Sequence, residues 1–411
     1  MLPGMKVARR APDRRLPGCV LWLVGGLGCA SSVVATSGDM GSVDAATPPD
    51  AAPDGLVAPG RVPRVIAGLG FSCALRRDGV VRCWGTDTSG QFGNGSMGVE
   101  SSRPETSRLV GEVVDLFAGG GHACARARDA TLRCWGFNDY GQVGDGTTRR
   151  SPPPTPVTGL GEVVLGGGGD YHTCALVRDG RLFCWGRGEF GALGDGDTVD
   201  RWSPRVVTAL RDVAGVTLGD NHTCAWRGDG AAYCWGSGTF GQLGNGTTAH
   251  VQPSPTRVVG LDDVVAMSAG TVFACALRRD GTVSCWGYNE DGRFGEGAEP
   301  RRVTPVPVPG LTEVARVVAG GVHVCALRRD RSVWCWGHNR HGSLGDGSRT
   351  DRATPARVAG LSDVVDLALG DWHTCALRAD DTVWCWGWNR VGELGDGTTT
   401  ERLVPVRVVG L

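Results

Sequence analysis

The stretch His373-Thr-Cys-Ala-Leu-Arg-Ala-Asp-Asp-Thr-Val-Trp-Cys-Trp-Gly387 places two short runs of β-branched and apolar residues around a polar turn. That pattern predicts a β-hairpin, with Gly in most other copies where the turn needs positive φ. The unit recurs seven times. Its paired cysteines are Cys73 with Cys83, Cys124 with Cys134, Cys174 with Cys184, Cys224 with Cys234, Cys275 with Cys285, Cys325 with Cys335 and Cys375 with Cys385, and Trp-Gly follows each second cysteine. Successive first cysteines are 51, 50, 50, 51, 50 and 50 residues apart. A period of this size marks a solenoid, propeller or array.

Read outward from the hairpin, each unit gives four short strands of the types Val-Val-x-Leu, His-x-Cys-Ala-Leu, Val-x-Cys-Trp and Pro-x-x-Val. Gly and Pro punctuate too often for a helix. Four strands repeated seven times predict an all-β, seven-bladed β-propeller over residues 61–411. An open ring would leave sheet edges exposed. The C-terminal strand, Val404 to Val409, is therefore expected to complete the blade begun near Val65, closing the ring through the N- and C-terminal strands. Cys and Trp are neighbours and so point to opposite faces, which places each Trp against the neighbouring blade beside sulfur. A monomer is expected.

The first 60 residues read differently. Residues 1–29 combine a basic start (Lys6, Arg9, Arg10, Arg14, Arg15) with an apolar run too short to span a bilayer, the pattern of a secretory signal. The run ends Gly26-Leu27-Gly28-Cys29, which resembles a bacterial lipobox with Cys29 as the lipidated residue; cleavage near Ala30 or Ala35 is the alternative. Residues 30–60 are rich in Ala, Pro, Asp and Ser and read as a flexible tether. Export to the outer membrane or cell surface, or otherwise to the periplasm, gives the cysteines an oxidising compartment. Directly opposed cysteines in a hairpin then predict seven cross-strand disulfides. Zinc is the competing reading, because His122, His172, His222, His323 and His373 stand two residues before a cysteine. Phe71 and Phe273 replace the histidine in two copies, and a ligand set so interrupted makes poor zinc chemistry. The histidines are expected to be satisfied structural groups, with no metal and no cofactor.

The motifs Gly-x-x-His-x-Cys-Ala-Leu, Asp-Gly-x-Val-x-Cys-Trp-Gly and Gly-x-Leu-Gly-Asp-Gly-Thr-Thr resemble the regulator-of-chromosome-condensation repeat across residues 61–411. The resemblance implies the propeller fold. Its functional implications are diverse: eukaryotic members include the exchange factor for the Ran GTPase, and secreted bacterial members include β-lactamase inhibitory proteins. Paired cysteines depart from the nuclear members and fit an exported type.

Net charge is −1, which argues against a nucleic-acid footprint. The Leu-Gly-Asp-Gly turns (Asp195, Asp346, Asp396) offer too few oxygens for calcium and precede no helix that would cradle phosphate; they are expected to be Asx-type turns. Function should sit where the copies differ. The second and fifth positions after each Trp do so, giving Phe137, Tyr140, Arg187, Phe190, Phe240, Tyr288, His338, His341 and Trp388 among them. Equivalent loops fall on one rim, so these residues form a candidate binding surface for a protein or an envelope glycan. The Arg-rich hairpin tips at Arg76-Arg77-Asp78, Arg278-Arg279-Asp280 and Arg328-Arg329-Asp330 occupy the other rim and read as solvated. No catalytic constellation is present. An enzyme acting on polysaccharide would need paired carboxylates, for which Glu189, Glu290 and Asp291 are the candidates, with Asp87 and Asp139 behind them. A GTPase-exchange or β-lactamase-inhibitor role is the least favoured alternative.

Overall fold

The computed structural model describes residues 63–98, 100–109, 111–290, 294 and 300–411. The segments read as signal and tether, with Cys29 and Asp291, lie outside them. Seven four-stranded antiparallel sheets form the seven blades, spanning 64–106, 113–156, 163–206, 213–257, 264–307, 314–357 and 364–407. The seventh shows the pattern with strands Val364–Leu369, His373–Arg378, Val383–Gly387 and Arg402–Arg407. The single helical element among the described residues is a short 3-10 turn at Glu189–Gly191. Each outermost strand starts before its Val-rich segment and tolerates prolines, as in Ser151–Pro156, because a strand at a sheet edge pairs on one side only.

Every expected cysteine pair sits directly opposed in its hairpin and is bonded as a disulfide. Cys73 joins Cys83, Cys124 joins Cys134, Cys174 joins Cys184, and Cys224 joins Cys234. Cys275 joins Cys285, Cys325 joins Cys335, and Cys375 joins Cys385. No bridge links one blade to another. The turn between the cysteines is fixed by Asp, whose carboxylate accepts the N–H two residues on (Asp78–Val80, Asp129–Thr131, Asp280–Thr282). Gly follows the Asp in four blades, while Ala130, Arg331 and Asp381 adopt the same positive φ in the others. The Leu-Gly-Asp-Gly turns are held similarly: Asp195, Asp346 and Asp396 accept the N–H of Asp197, Ser348 and Thr398.

The ring closes by another route than the one expected. The C-terminal strand remains in the seventh blade, and the first blade builds all four of its strands from residues 64–106. Closure comes from face packing and buried charge. Val65 donates its N–H to Asp366 Oδ2 at 3.0 Å, Asp366 pairs with Arg316, and Arg64 lies 3.4 Å from Asp115. Seven complete blades leave no gap for a borrowed strand to fill. The two ends do meet: Arg82 donates to the Gly410 carbonyl at 2.5 Å, and Pro63 and Leu411 line one cavity.

The seven tryptophans after the second cysteines are completely buried. Each indole described in a hydrogen bond crosses to the preceding blade. Trp84, Trp135, Trp185, Trp235, Trp286 and Trp386 donate to the carbonyls of Glu393, Gln91, Gln142, Ala192, Gln242 and Ser343 at 2.7–2.9 Å. The buried clusters join each such Trp to cysteines of the preceding blade, as Trp286 joins Cys224 and Cys234. The Gly of Gly-x-x-His is a steric requirement. A Cβ at Gly119 would stand 2.2 Å from the His122 ring, and one at Gly68 2.2 Å from Phe71.

The histidines span the same seams. His122, His172, His323 and His373 reach across through Nε2 to Thr173, Thr223, Thr374 and Ser72 at 2.7–2.9 Å. Each of those hydroxyls donates its own hydrogen to the carbonyl that the tryptophan uses: Gln142, Ala192, Ser343 and Glu393. The histidine must therefore donate from Nε2, which fixes the neutral tautomer. Burial pushes His122 and His172 down to about 3 and His373 to about 4. His222 is the exception to the structural reading, since Ala274 occupies the hydroxyl position opposite it.

Candidate rim site

The loop after each Trp-Gly begins where the third strand ends, next to the turn joining the first two strands. His122 pairs with Gly136, and that register brings both connections to one end of the blade. The hairpin tips lie at the opposite end, where Arg77 of the first blade reaches Asp381 of the seventh at 2.6 Å.

The nine predicted rim residues do collect on this end, neither free nor fully packed. Phe137, Tyr140, Arg187, Phe190, Phe240, Tyr288, His341 and Trp388 are half-buried; His338 is buried. They gather in clusters across blade seams. In the first, Tyr140 and Tyr171 meet edge to face with centroids 5.3 Å apart, and Phe137 lies 6.2 Å from both. Arg187 caps Tyr140 and Tyr171 at 5.1 and 5.3 Å, and Arg150 covers Phe137 at 5.3 Å. In the second, His341 stands between Trp388 (4.3 Å) and Trp372 (4.8 Å), and His338 is 5.5 Å from Trp372. Arg390 stacks on Trp388 at 4.7 Å. Two smaller contacts continue the rim, Phe190 with His250 and Phe240 with Tyr288. Phe190 also holds a positive φ of 62°, a strained conformation for an aromatic residue.

Three residues of this surface are absent from the sequence reading. Tyr171 and Trp372 occupy the inner turn directly before the histidine, where other blades carry Gly121, Asn221 or Val322. Trp202 packs over Gly141 and stays 51% exposed, at a position where neighbouring blades place Pro152 or Pro253. Their signal was present as breaks in the repeat outside the Trp-Gly loops.

Among the described residues the expected carboxylates do not form a pair. Glu189 binds Arg187, Asp139 lies 3.3 Å from Arg150, Glu290 is exposed, and Asp87 accepts the Phe92 N–H at 2.8 Å. The structure instead brings Asp170 and Asp220 to adjacent inner turns at the channel mouth. Both act on Tyr171, whose hydroxyl burial and these two charges push upward. Burial raises Asp220 to about 7, against the pull of Arg187. At 0% and 4% exposure these two acids are covered, so a polysaccharide would not reach them.

The geometry defines a propeller with a uniform, cross-bonded interior and one varied aromatic rim. Residues 26–271 match the RCC1-like domain. Residues 280–327, 330–377 and 380–411 match the regulator of chromosome condensation (RCC1) repeat. The chain belongs to this family. The human E3 ubiquitin-protein ligase HERC2 is 36% identical over 99 residues, covering 24% of this chain and 2% of HERC2. The ultraviolet-B receptor UVR8 of Arabidopsis thaliana is 32% identical over 114 residues, covering 27% of this chain and 26% of UVR8. The chain thus spans a small part of the length of these curated relatives. Among solved structures, yeast RCC1 (Prp20) superimposes with TM-score 0.74 at 18% identity, covering 90% of this chain and 91% of that one. Human WBSCR16 does so with TM-score 0.71 at 23% identity, covering 80% and 94%. At these identities the likeness is one of fold.

Proposed function

We propose that this protein is a non-catalytic binding module whose partner docks on the Trp-Gly rim. The observation that carries the reading is the concentration of half-buried Tyr, Trp and Arg on one rim of a scaffold pinned by seven disulfides. Rigid aromatic and Arg side chains supply most of the binding energy in protein interfaces. Propellers of this fold serve such roles elsewhere: yeast Prp20p is described with its binding to Gsp1p and histones, and yeast RCC1 in a complex with Kap60.

The disulfides suit an exported protein in an oxidising compartment, and no helix among the described residues is long and apolar enough to cross a membrane. With Cys29 as a lipid anchor, the tether would enter at Pro63, on the hairpin-tip side, and present the aromatic rim away from the membrane to an envelope partner. The test compares species captured from envelope extract by the wild type and two variants. Changing Phe137, Tyr140 and Trp388 to Ala should abolish the specific capture, each hot spot contributing roughly 2 kcal/mol. Changing Arg77, Arg279 and Arg329 to Ser at the other rim should leave capture intact. The opposite pattern would place the site on the hairpin tips.

A further inference from the structure

The rim carries a charge polarity that the aromatic pattern does not reveal. The fourth residue after each blade's Trp forms the loop tip, and around the ring these are Thr88, Asp139, Glu189, Thr239, Glu290, Arg340 and Arg390. Acids stand on the second, third and fifth blades; bases stand side by side on the sixth and seventh. The acidic tips of the second and third blades are neutralised locally, by Arg150 and Arg187. The basic tips are not: neither Arg340 nor Arg390 has a carboxylate partner among the described residues.

The Arg390 guanidinium and the Arg340 backbone are nevertheless held in place. Arg390 stacks on the Trp388 ring, 4.7 Å from its centroid. Arg349 donates from Nη1 to the Arg340 carbonyl and to Glu401 Oε2, each at 2.7 Å, fixing the backbone of the neighbouring tip. Glu401 accepts on its other oxygen from His341 Nδ1 at 2.8 Å, which locks that ring between Trp388 and Trp372. Two further acids of the sixth blade are engaged as well, Asp346 by Arg352 and Asp351 by His338 and the Asn339 N–H. The result is an apolar floor of two tryptophans beside two exposed Arg forks with unused donors. Stacking leaves the in-plane N–H groups of Arg390 free for two-point contact with a carboxylate, with little side-chain freedom left to lose on binding.

We propose that the sixth and seventh blades form a docking sector for an acidic protein segment, with Arg340 and Arg390 taking its carboxylates and Trp372 and Trp388 its apolar side chains. This inference rests on the rim reading and commits it to one sector and one chemistry.

The test uses the full chain and a fluorescein-labelled peptide of alternating Glu and Leu, against the same peptide with Gln for Glu. Anisotropy should report binding of the Glu peptide alone, weakening as salt rises. The exposed pair Arg340→Gln/Arg390→Gln should lose at least tenfold in affinity and Trp388→Ala at least fivefold. Glu189→Gln should be unchanged, and circular dichroism should show all variants folded. Equal binding of the two peptides, or indifference to the double Arg change, would overturn the proposal. Equal competition by polygalacturonate would overturn it in favour of an anionic glycan. Loss of a captured partner through Phe137→Ala/Tyr140→Ala, with no loss in the Arg variant, would sink this sector while leaving the rim reading standing.

Discussion

The seam between the third and fourth blades and the seam between the fifth and sixth solve one packing problem with opposite chemistry. In the first, His172 reaches Thr223 at 2.7 Å, and Thr223 and Trp235 share the Ala192 carbonyl. In the second, Phe273 fills the histidine position and Val324 the threonine position, both buried. The pattern holds around the ring: Phe71 faces Ala123, while His122, His323 and His373 face Thr173, Thr374 and Ser72. A buried ring N–H demands an acceptor, and the hydroxyl that accepts from it must in turn place its own hydrogen. The two positions therefore change together, and an all-apolar pair removes both demands at once. His222 opposite Ala274 is the one seam that mixes the two solutions.

The largest effect should come from converting one solution into the other. Changing His172→Phe together with Thr223→Ala copies the Phe71/Ala123 seam. A histidine with a depressed folded pKa stabilises fully above its unfolded value near 6.5, and that contribution is lost as pH falls toward about 3. The double variant should match the wild type within about 1 kcal/mol at pH 7 and exceed it by about 3 kcal/mol at pH 4.5. Urea unfolding at both pH values decides, and parallel pH profiles would break the comparison. Thr223→Val alone should cost about 2 kcal/mol at pH 7, since it strands the His172 N–H.

The seam between the seventh and first blades offers a carboxylate version. Gln142 and Gln242 accept a loop N–H through the side-chain carbonyl, and Glu393 does the same for Val391 at 3.0 Å. Burial raises Glu393 to about 7. A raised acid stabilises most below its unfolded pKa and loses that contribution as pH rises through the folded value. Glu393→Gln should therefore add about 2 kcal/mol at pH 8 and almost nothing at pH 4.5. A constant gain would point to packing rather than charge. The smallest expected change is Ala274→Thr, which gives His222 the hydroxyl its counterparts have. A gain of about 1 kcal/mol in chemical denaturation would extend the rule to the exceptional seam; a loss would mean this seam is too tight for the extra atoms.

Parts of this are legible in the sequence. Ten-residue cysteine spacing put the two thiols opposite each other, because a short antiparallel hairpin allows few registers. Trp in every copy announced packing, and variation after Trp-Gly announced a rim. The aromatic clusters were only half legible. Tyr171 and Trp372 come from a different loop, and their contact with Tyr140 and with His341 exists because the register brings two connections to one end. Asp170 and Asp220 lie likewise in inner turns that nothing local marks as adjacent.

The sequence alone determined the blade number, the four-strand unit and the disulfide pairing, because each follows from periodicity and local geometry within fifty residues. Tertiary structure decided how the ring closes, which hydroxyl answers which histidine, and which rim residues touch. Those contacts join positions in different blades, and Asp366 reaches Val65 across 301 residues. Local patterning carries no record of such distances; only the curvature of seven packed sheets brings those groups together.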